Sequence, residues 1–246
     1  MSLLPTLTNR IALVTGGSRG IGRAVVLALA EAGADVAVNY RERADGAHAV
    51  AEAVRAMGRR AVAVGADVSD SAGVAAMMQA IAAQLGPVDV LVNNAGIALI
   101  RTVDDLTEAD FDTTITVNLK SAFLCTQAAL PHMRAQRWGR IVNISSGAAR
   151  GAGGIGVHYN ASKAGMEGLT RGYAARLVKE GITVNAVAPS LIDTDMMAAR
   201  REEYEKRIPL GRMGTPEEVA QAVLLVLGNP YMTGQTVQLN GGTNFV

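Results

Sequence analysis

Short apolar runs alternate along the chain with longer segments in which apolar residues recur every three or four positions. The runs Ile11–Val14 and Val36–Val38 contain only apolar residues, which is typical of buried strands. The segments that follow them, 21–32 and 44–57, have helical periodicity, and each is followed by a glycine, a common helix C-cap. This alternation predicts an α/β fold, with a parallel sheet covered by helices on both faces.

The same pattern extends to the end of the chain. Strands are predicted at Ile11–Val14, Val36–Val38, Ala61–Val64, Val88–Val92, Ile141–Ile144, Thr183–Val187 and Thr236–Leu239. Helices are predicted at 21–32, at 44–57, from a cap at Ser69 or Asp70 to about Leu85, at 107–136 with a bend near 113–116, around Tyr159, and from Thr215–Pro216 onward. No linker, repeat or charge block interrupts this order, so residues 1–246 are expected to form a single domain.

Composition excludes several classes of protein. The formal net charge is +1, which gives no electrostatic reason to expect a nucleic acid or an anionic membrane as partner. No apolar run is long enough to span a bilayer, and the first residues lack the features of a signal peptide. The single cysteine, Cys125, lies in an apolar helical pattern, so we expect it to pack in the core of a cytoplasmic protein without disulfides. No metal site is expected.

A glycine-rich turn lies between the first strand and the first helix. It has the spacing G-x-x-x-G-x-G and contains Gly16, Ser18, Arg19, Gly20, Ile21 and Gly22. Glycines at such a turn allow the backbone to approach a pyrophosphate, which a helix N-terminus attracts. An ATPase-type phosphate loop is excluded because no Gly-Lys-Ser/Thr follows. The turn also matches the G-x-S-x-G elbow of α/β-hydrolases, but the upstream strands that such an elbow needs have no room before Thr15.

The end of the second strand indicates which dinucleotide binds. A carboxylate there would bind the ribose 2′-hydroxyl of NAD, but this chain has Asn39, Tyr40 and Arg41. Arg19 and Arg43 are expected nearby, and Asp35 is at the opposite end of the strand. These residues favour NADP, whose 2′-phosphate needs cations, although Arg41 and Arg43 as solvated loop charges remain an alternative.

Residues after the third and fourth strands are expected to complete the nucleotide site. Asp67 and Val68 follow the third strand, where the adenine would lie. Asn94, Ala95 and Gly96 follow the fourth strand, and their small side chains and amide would line the cofactor.

Tyr159 and Lys163 are four residues apart on a predicted helix, which places them on one face. A cation beside a phenol favours the phenolate, so Lys163 is expected to lower the pKa of Tyr159 from about 10 toward neutrality. Such a phenol can act as a general acid or base. Ser146 follows a buried strand and would leave its carboxyl end, so the three side chains could converge on one carbonyl oxygen. Alternatively, Ser146 only begins a glycine-rich loop and Tyr159 and Lys163 lie on an ordinary helix surface.

These motifs together resemble the classical short-chain dehydrogenase/reductases from about Arg10 to Gly242. The matching residues are Thr15-Gly16-x-x-x-Gly20-x-Gly22, Asn93-Asn-Ala-Gly96, Asn118, Ser146 and Tyr159-x-x-x-Lys163. The chain looks most similar to the 3-oxoacyl-[acyl-carrier-protein] reductase branch, also in its tail, Thr233 to Gly242.

The resemblance implies a Rossmann-like, doubly wound sheet and a catalytic tetrad. Tyr159 would protonate a carbonyl oxygen that Ser146 holds, while NADPH supplies hydride. Lys163 would bind the nicotinamide ribose, and Asn118 would anchor a water that relays protons to Lys163. The resemblance also implies a homotetramer built through the helices at 118–133 and 159–179. The substrate would be a small carbonyl compound or an acyl thioester, with acyl carrier protein as a possible partner.

Two positions depart from the family pattern. Pro189 is followed by Ser190 where the family usually has glycine, so a side chain there would crowd the cofactor or strain a loop that needs positive φ. Thr194 still matches the threonine expected near the carboxamide, and Pro189 and Ile192 are expected beside the nicotinamide. Arg137 matches one of two basic residues that face an acidic carrier, but Glu180 replaces the second. This replacement weakens the prediction of a carrier-protein substrate.

The sequence leaves the substrate open. A lid is expected at 190–213, whose Leu191, Ile192, Met196, Met197 and Met213 would face an apolar substrate or pack within the lid. His158 would face either the pocket or solvent. A short-chain ketone reductase of secondary metabolism is the main alternative. A nucleotide-binding regulator without turnover has no need of Tyr159 and Lys163, and a sugar epimerase of related fold would need a further domain.

Overall fold

The computed structural model describes residues 6–194 and 201–245, which contain one seven-stranded sheet. The strands are β1 Ile11–Val14, β2 Asp35–Tyr40, β3 Ala61–Gly65, β4 Val90–Asn93, β5 Gly139–Ile144, β6 Ile182–Pro189 and β7 Thr236–Leu239. All neighbours pair in parallel, in the order β3-β2-β1-β4-β5-β6-β7. The predicted α/β class, strand number and doubly wound arrangement are therefore confirmed.

The helices lie between the strands, as the alternating pattern predicts. They are α1 Gly20–Glu31, α2 Ala44–Ala56, α3 Ser71–Gln84, α4 Glu108–Ile115, α5 Ser121–Ala135, α6 Val157–Leu177, α7 Arg201–Glu205 and α8 Pro216–Gly228. Asp70 caps α3 through the backbone N–H of Gly73, and Thr215 caps α8 in a reciprocal capping box with Glu218. In the two described ranges, no helix is long and apolar enough to cross a bilayer.

Two hydrophobic layers sandwich the sheet. The layer with α1 and α8 contains Val14, Val38, Val92 and Val223, and the opposite layer contains Leu13, Leu91 and Cys125 on α5. Alternate residues of one strand thus enter opposite layers, which explains why the central strands are apolar throughout. Cys125 is buried in this core, as predicted, and burial raises the pKa of its thiol to about 12.

The long helical pattern after residue 107 is interrupted at Thr116, the last residue of the predicted region 113–116, and the irregular part extends beyond it. Thr113 to Ile115 are still within α4, and the irregular part is a π-helical turn at Thr116–Lys120 that connects α4 to α5. Asn118 lies in this turn and is completely buried. A π turn inserts an extra residue into a helix and is common near functional sites. The interruption of the helix thus coincides with the turn that contains this buried amide.

Strand order reverses between β1 and β4, because β2 and β3 extend to one side and β5 to β7 to the other. At such a switch point, the loops after the two strands diverge and leave a crevice beyond their carboxyl ends. The loops after β1, β2, β4, β5 and β6 all open toward this edge.

Candidate functional site

A cavity of about 430 Å³ occupies this crevice. Every nucleotide-binding residue predicted from the sequence lines it: Gly16, Ser18, Arg19, Gly20, Ile21, Gly22, Asn39, Tyr40, Arg41, Asp67, Val68, Asn94, Ala95, Gly96, Tyr159, Lys163, Pro189, Ile192 and Thr194. Ser146 lines the same cavity, at the end away from the second strand. The fold thus brings these residues together, and their roles toward a ligand stay predictions.

The glycine-rich turn has the geometry of a backbone cradle. Gly16 and Gly20 have φ of 63° and 51°, in the left-handed region that favours glycine. A Cβ on Gly22 would lie 2.2 Å from the carbonyl oxygen of Gly16. Arg19 precedes α1 without providing a side-chain cap, so the first N–H groups of this helix are left for a ligand or solvent. This end of the cavity suits an anion.

Side chains from neighbouring strands hold the cradle in place. The hydroxyl oxygen of Thr15 accepts hydrogen bonds of 3.0 Å from the backbone N–H groups of Asn94 and Ala95. The Asn94 amide donates in return to the carbonyl oxygens of Thr15 and Gly16, at 2.9 and 3.0 Å. The Asn93–Gly96 segment therefore supports the glycine turn as well as lining the cavity.

Asn39 contributes differently from the prediction. Its side chain is only 2% exposed, accepts a hydrogen bond from the Gly16 N–H at 3.2 Å and donates to the carbonyl oxygens of Val64 and Ala66. The reason is that β2 extends to Tyr40, so Asn39 is still inside the sheet. The first residue beyond the strand is Arg41, and Asn39 positions the cradle instead of replacing a ribose-binding carboxylate.

Arg41 lies in a mixed electrostatic environment at the cavity edge. Its guanidinium pairs with Glu42, with Nε 3.0 Å from Oε1, and Nη1 is 4.0 Å from the Asp67 carboxylate. Glu42 raises the pKa of Arg41, chiefly through this hydrogen bond. Hydrogen bonds from Ser69 lower the pKa of Asp67, which is thus held as a carboxylate. Both acids compete with any anion for Arg41.

Lys163 lies inside the protein, one helical turn beyond Tyr159 on α6. Its Nζ donates a hydrogen bond of 2.8 Å to the carbonyl oxygen of Ile144, the last residue of β5. Burial lowers the pKa of this amine to about 8. At neutral pH, Lys163 is therefore a cation whose proton is released more easily than that of a surface lysine.

The predicted effect of Lys163 on Tyr159 is wrong for the protein without cofactor. Burial raises the pKa of Tyr159 above its usual value, and a hydrogen bond with Ser146 offsets only part of this rise. The ammonium is 5.8 Å from the centre of the phenol ring and is directed to the Ile144 carbonyl instead. The sequence pattern placed the two side chains on one face but could not show where the ammonium points. Tyr159 is thus a protonated phenol, ready to donate.

Asn118 is behind the cavity wall. Its side-chain amide accepts from the N–H of Ile97 at 2.8 Å and donates to the carbonyl oxygen of Ile97 at 3.0 Å, which anchors the loop after β4. A Cβ on Gly96 would lie 3.2 Å from Asn118 Oδ1 and 3.7 Å from Lys163 Nζ. Gly96 therefore lies between the Asn118 amide and the Lys163 ammonium, where a larger side chain would crowd both.

The structure resolves several alternatives that the sequence left open. Ser190 lines the cavity, and it is not one of the non-glycine residues with positive φ, so strain at this position is excluded. His158 faces neither pocket nor solvent, because it is fully buried with Nε2 2.9 Å from the carbonyl oxygen of Leu99. In the predicted lid, Ile192 and Met213 are buried, while Met196 and Met197 lie outside the described residues.

Some wall residues were not predicted. They are Glu42, Ala66, Ile97, Ala98, Val117, Ile144 and Ser145. Ile97, Ala98 and Val117 form an apolar part of the wall. The only signal for these residues is that they lie next to recognised motifs in the sequence, and most of them are apolar residues that carry little chemical information of their own.

Comparison with known proteins gives a consistent assignment. Residues 10–205 match the family model of the short chain dehydrogenases. The 3-oxoacyl-[acyl-carrier-protein] reductase FabG of Staphylococcus aureus (strain Mu50) is 44% identical over 95% of this chain and 98% of its own. Nodulation protein G of Azospirillum brasilense is 41% identical over 97% of this chain and 100% of its own.

A solved structure whose sequence identity to this chain is similar to that of these relatives shows the same fold. The crystal structure of a short chain dehydrogenase from Burkholderia cenocepacia J2315, in complex with NADP, has a TM-score of 0.90 and 39% identity over 98% of this chain and 100% of that one. The fold, the site geometry and the sequence similarity agree. The chain belongs to the short-chain dehydrogenase family.

Proposed function

We propose that this protein is an NADPH-dependent carbonyl reductase that acts on 3-oxoacyl thioesters or related ketones. The observation that carries the proposal is the convergence of Ser146, the protonated Tyr159 and the buried Lys163 at one end of a cavity whose other end is an anion-binding cradle. A reductase needs both ends in one space, because the hydride donor must lie beside the group that supplies the proton.

The residues present fit NADPH. The glycine cradle and the α1 N-terminus suit its pyrophosphate, and Arg41, with Arg43 and Arg19 on the same wall, suits the 2′-phosphate. Asp67 and Val68 would contact the adenine, and Pro189, Ile192 and Thr194 would lie beside the nicotinamide. The Burkholderia relative, whose structure contains NADP, supports this choice of cofactor.

When bound, NADPH supplies a hydride to the carbonyl carbon. The protein positions the carbonyl oxygen between the hydroxyl of Ser146 and the phenol of Tyr159, which polarises it. Tyr159 donates its proton to this oxygen as negative charge develops. Lys163 provides positive charge close to the resulting phenolate and can return a proton, for which a pKa of about 8 is suitable. Asn118 holds the Ile97 loop and would anchor the water through which Lys163 is reprotonated.

The S. aureus relative, a 3-oxoacyl-[acyl-carrier-protein] reductase, supports a 3-oxoacyl substrate, and the apolar wall at Ile97, Ala98 and Val117 suits its chain. The second candidate is a free-ketone reductase that does not use a carrier protein. Glu180, in place of the second basic residue, favours this candidate.

The helices at 118–133 and 159–179 would assemble four copies of the chain. A regulator without turnover is disfavoured because a buried Lys163 costs stability that binding alone does not require.

The direct test is a panel of carbonyl compounds followed by loss of NADPH absorbance. It should include acetoacetyl-coenzyme A, the matching acyl-carrier-protein thioester and simple ketones, each with NADPH and with NADH. Turnover of the thioesters with NADPH supports the proposal. Turnover of ketones alone selects the second candidate, and no turnover of any compound despite NADPH binding would reject both.

A further inference from the structure

The loop between Ser146 and Tyr159 is unusually rich in glycine. Five of the ten residues from 147 to 156 are glycine, which gives the backbone more freedom than any other residue type. Tyr159 is fixed by its helix, but Ser146 is at the start of this loop. The distance between the two hydroxyls therefore depends on what holds the loop against α6.

Ser146 begins a single 3₁₀ turn at Gly147–Ala149, and Arg150 ends it. The Ser146 hydroxyl accepts a hydrogen bond of 3.2 Å from the N–H of Ala148, and the Ser146 carbonyl accepts one of 2.9 Å from the N–H of Ala149. The N–H of Arg150 donates to the Gly147 carbonyl. Ser146 and Arg150 are thus the two ends of one hydrogen-bonded unit, so a shift of Arg150 is transmitted to Ser146.

Arg150 is the only Lys, Arg, Asp or Glu between Arg140 and Lys163. Its Nε donates a hydrogen bond of 2.9 Å to Oε2 of Glu167, a carboxylate only 4% exposed. The other oxygen, Oε1, is buried with no hydrogen-bond partner among the described residues. A buried carboxylate without a counterion is strongly unfavourable, so Glu167 draws Arg150, and with it the turn, onto α6.

Glu167 is on the same face of α6 as the proposed catalytic residues, one turn beyond Lys163 and two beyond Tyr159. Successive turns of α6 contact the end of β5 and then the loop that follows it. Lys163 binds the Ile144 carbonyl, the Ser145 hydroxyl donates to the Lys163 carbonyl at 3.1 Å, and Glu167 binds Arg150. Only the last of these three reaches beyond Ser146. Asn160 on the same helix also donates to the carbonyl oxygens of Gly151 and Ala152, at 3.0 and 2.6 Å, so the Arg150–Glu167 pair is the contact that holds the end of the turn itself.

We infer that Arg150 and Glu167 form a positioning pair that sets the Ser146 hydroxyl against the Tyr159 phenol. The inference rests on the proposed function, in which these two groups share the carbonyl oxygen. Arg150 is not one of the cavity-lining residues that the structure describes, so it acts through Ser146 and not on the cofactor.

Arg171 provides a matched control. Its Nη1 is 3.9 Å from the same Oε2 of Glu167, but it lies on α6 itself and its side chain is 60% exposed. Arg150→Gln and Arg171→Gln therefore each remove one cation from the same carboxylate, and only Arg150→Gln removes a contact between the turn and α6. The double variant Arg150→Gln with Glu167→Gln releases the turn without leaving a buried carboxylate, in case Arg150→Gln alone fails to fold.

We expect Arg150→Gln and the double variant to lower kcat by about 10–100-fold, because misplacement by about 1 Å can cost 10². KM for NADPH should change by less than about twofold, Arg150→Lys should recover part of the loss, and Arg171→Gln should resemble wild type. In a Ser146→Ala background, Arg150→Gln should cause no further loss, because residues that act through one another are not additive. An equal loss in both backgrounds, or a comparable loss in Arg171→Gln, would overturn the inference.

A second readout does not depend on turnover. The pKa of Tyr159 can be followed by NMR of protein labelled with ¹³C at tyrosine Cζ, with the signal assigned by means of Tyr159→Phe. This pKa should rise in Arg150→Gln and stay constant in Arg171→Gln. An unchanged Tyr159 pKa in Arg150→Gln would contradict the positioning role. If wild type reduces no carbonyl compound, the proposed function fails, and this titration still decides whether Arg150 sets the Ser146–Tyr159 contact.

Discussion

Lys163 donates its hydrogen bond to the carbonyl oxygen of Ile144, at 2.8 Å, and not to the phenol of Tyr159. This contact joins the middle of α6 to the end of β5, and it places a cation in a position where burial lowers its pKa to about 8. The site therefore contains a charge that the fold stabilises incompletely before any ligand binds. Such a cost is common at functional sites, where stability is lost for reactivity.

Lys163→Met should make the protein more stable while removing activity. The lowered pKa of Lys163 corresponds to about 3 kcal/mol of unfavourable burial, which the variant no longer has. Loss of the hydrogen bond to Ile144 reduces this gain by about 1 kcal/mol. We expect the free energy of unfolding at pH 7 to rise by roughly 2 kcal/mol. Urea denaturation measures this change, with exposed Lys179→Met as control.

The gain in stability from Lys163→Met should become smaller as the pH rises. Between pH 8 and 10.5 an unfolded lysine still binds its proton, whereas folded Lys163 has lost it. Wild-type stability therefore rises with pH in this window relative to the variant. The advantage of Lys163→Met should be complete below pH 8 and shrink toward pH 10.5, while a constant advantage would show that burial of charge is not its cause.

Tyr159→Phe removes the proposed proton donor and keeps the ring. General acid catalysis contributes about 10²–10⁴-fold, so the rate constant for reduction should fall by at least 10². NADPH binding and the unfolding temperature should change little, because the phenol oxygen is a small part of the buried surface. Single-turnover measurements at saturating NADPH test this prediction, and activity within about tenfold of wild type would remove Tyr159 from the mechanism.

Arg41→Ala should weaken the binding of NADPH without weakening the binding of NADH. A hydrogen bond to a charged group contributes roughly 1.5–3 kcal/mol, so NADPH affinity should fall about 10–100-fold and NADH affinity should hardly change. Glu42 and Asp67 compete for this guanidinium, so we expect the lower end of that range. Glu42→Gln, which removes one competitor, should tighten NADPH. Calorimetric titration with both cofactors is the measurement, and an equal loss for both would place Arg41 away from the 2′-phosphate.

The strand positions and most of the cavity wall followed from the sequence because both depend on short-range patterns. Apolar runs such as Ile11–Val14 must be buried on both faces, and motifs at their carboxyl ends must meet at one edge of a parallel sheet. Side-chain direction did not follow in the same way. Asn39 and Lys163 were placed at the right wall, but their hydrogen bonds to Gly16 and Ile144 depend on backbone positions set by distant strands.

The contact between Arg150 and Glu167 could not be predicted from the sequence for the same reason. Arg150 and Glu167 are separated by a glycine-rich loop and two helical turns, and neither belongs to a recognised motif. Their contact depends on how this loop returns to α6, which periodicity does not encode. The same is true of Arg134 and Glu180, which lie on different elements and pair in the folded chain.

Assembly through the two central helices predicts a specific contact surface. Ile115, Leu119, Phe123 and Leu169 line a mostly apolar groove together with Lys120 and Gly165. Phe123 is 43% exposed there, and burying it would favour association. Wild type should be a tetramer by light scattering at micromolar concentration, and Phe123→Glu should lower the mass. Met57→Glu, at a residue 42% exposed directly after α2, is the matched control, and a monomeric wild type would reject the assembly.

Glu180 determines the charge of the surface on which an acidic carrier protein would dock. Its carboxylate accepts two hydrogen bonds from Arg134, at 2.7 and 3.3 Å, which neutralises that cation. Arg140, which is close to Arg137 in the sequence, is buried against Trp138 and donates to the carbonyl oxygens of Gly139 and Gly181. Arg137 remains exposed, with one guanidinium nitrogen bound to the Lys179 carbonyl. This surface is therefore less positive than the arginine count suggests.

We therefore expect acetoacetyl thioesters to be reduced with little preference for the carrier-linked form over the coenzyme A form. Glu180→Arg removes the partner of Arg134 and adds a cation, so it should raise kcat/KM for the carrier-linked substrate, mainly through faster association that weakens with salt. Glu180→Gln frees Arg134 without adding a cation and should give an intermediate value. Steady-state kinetics with both thioesters at two ionic strengths measure the effect. A strong carrier preference in wild type that is lost in Arg137→Ala would show instead that one cation is sufficient, and reduction of free ketones alone would exclude thioesters as substrates.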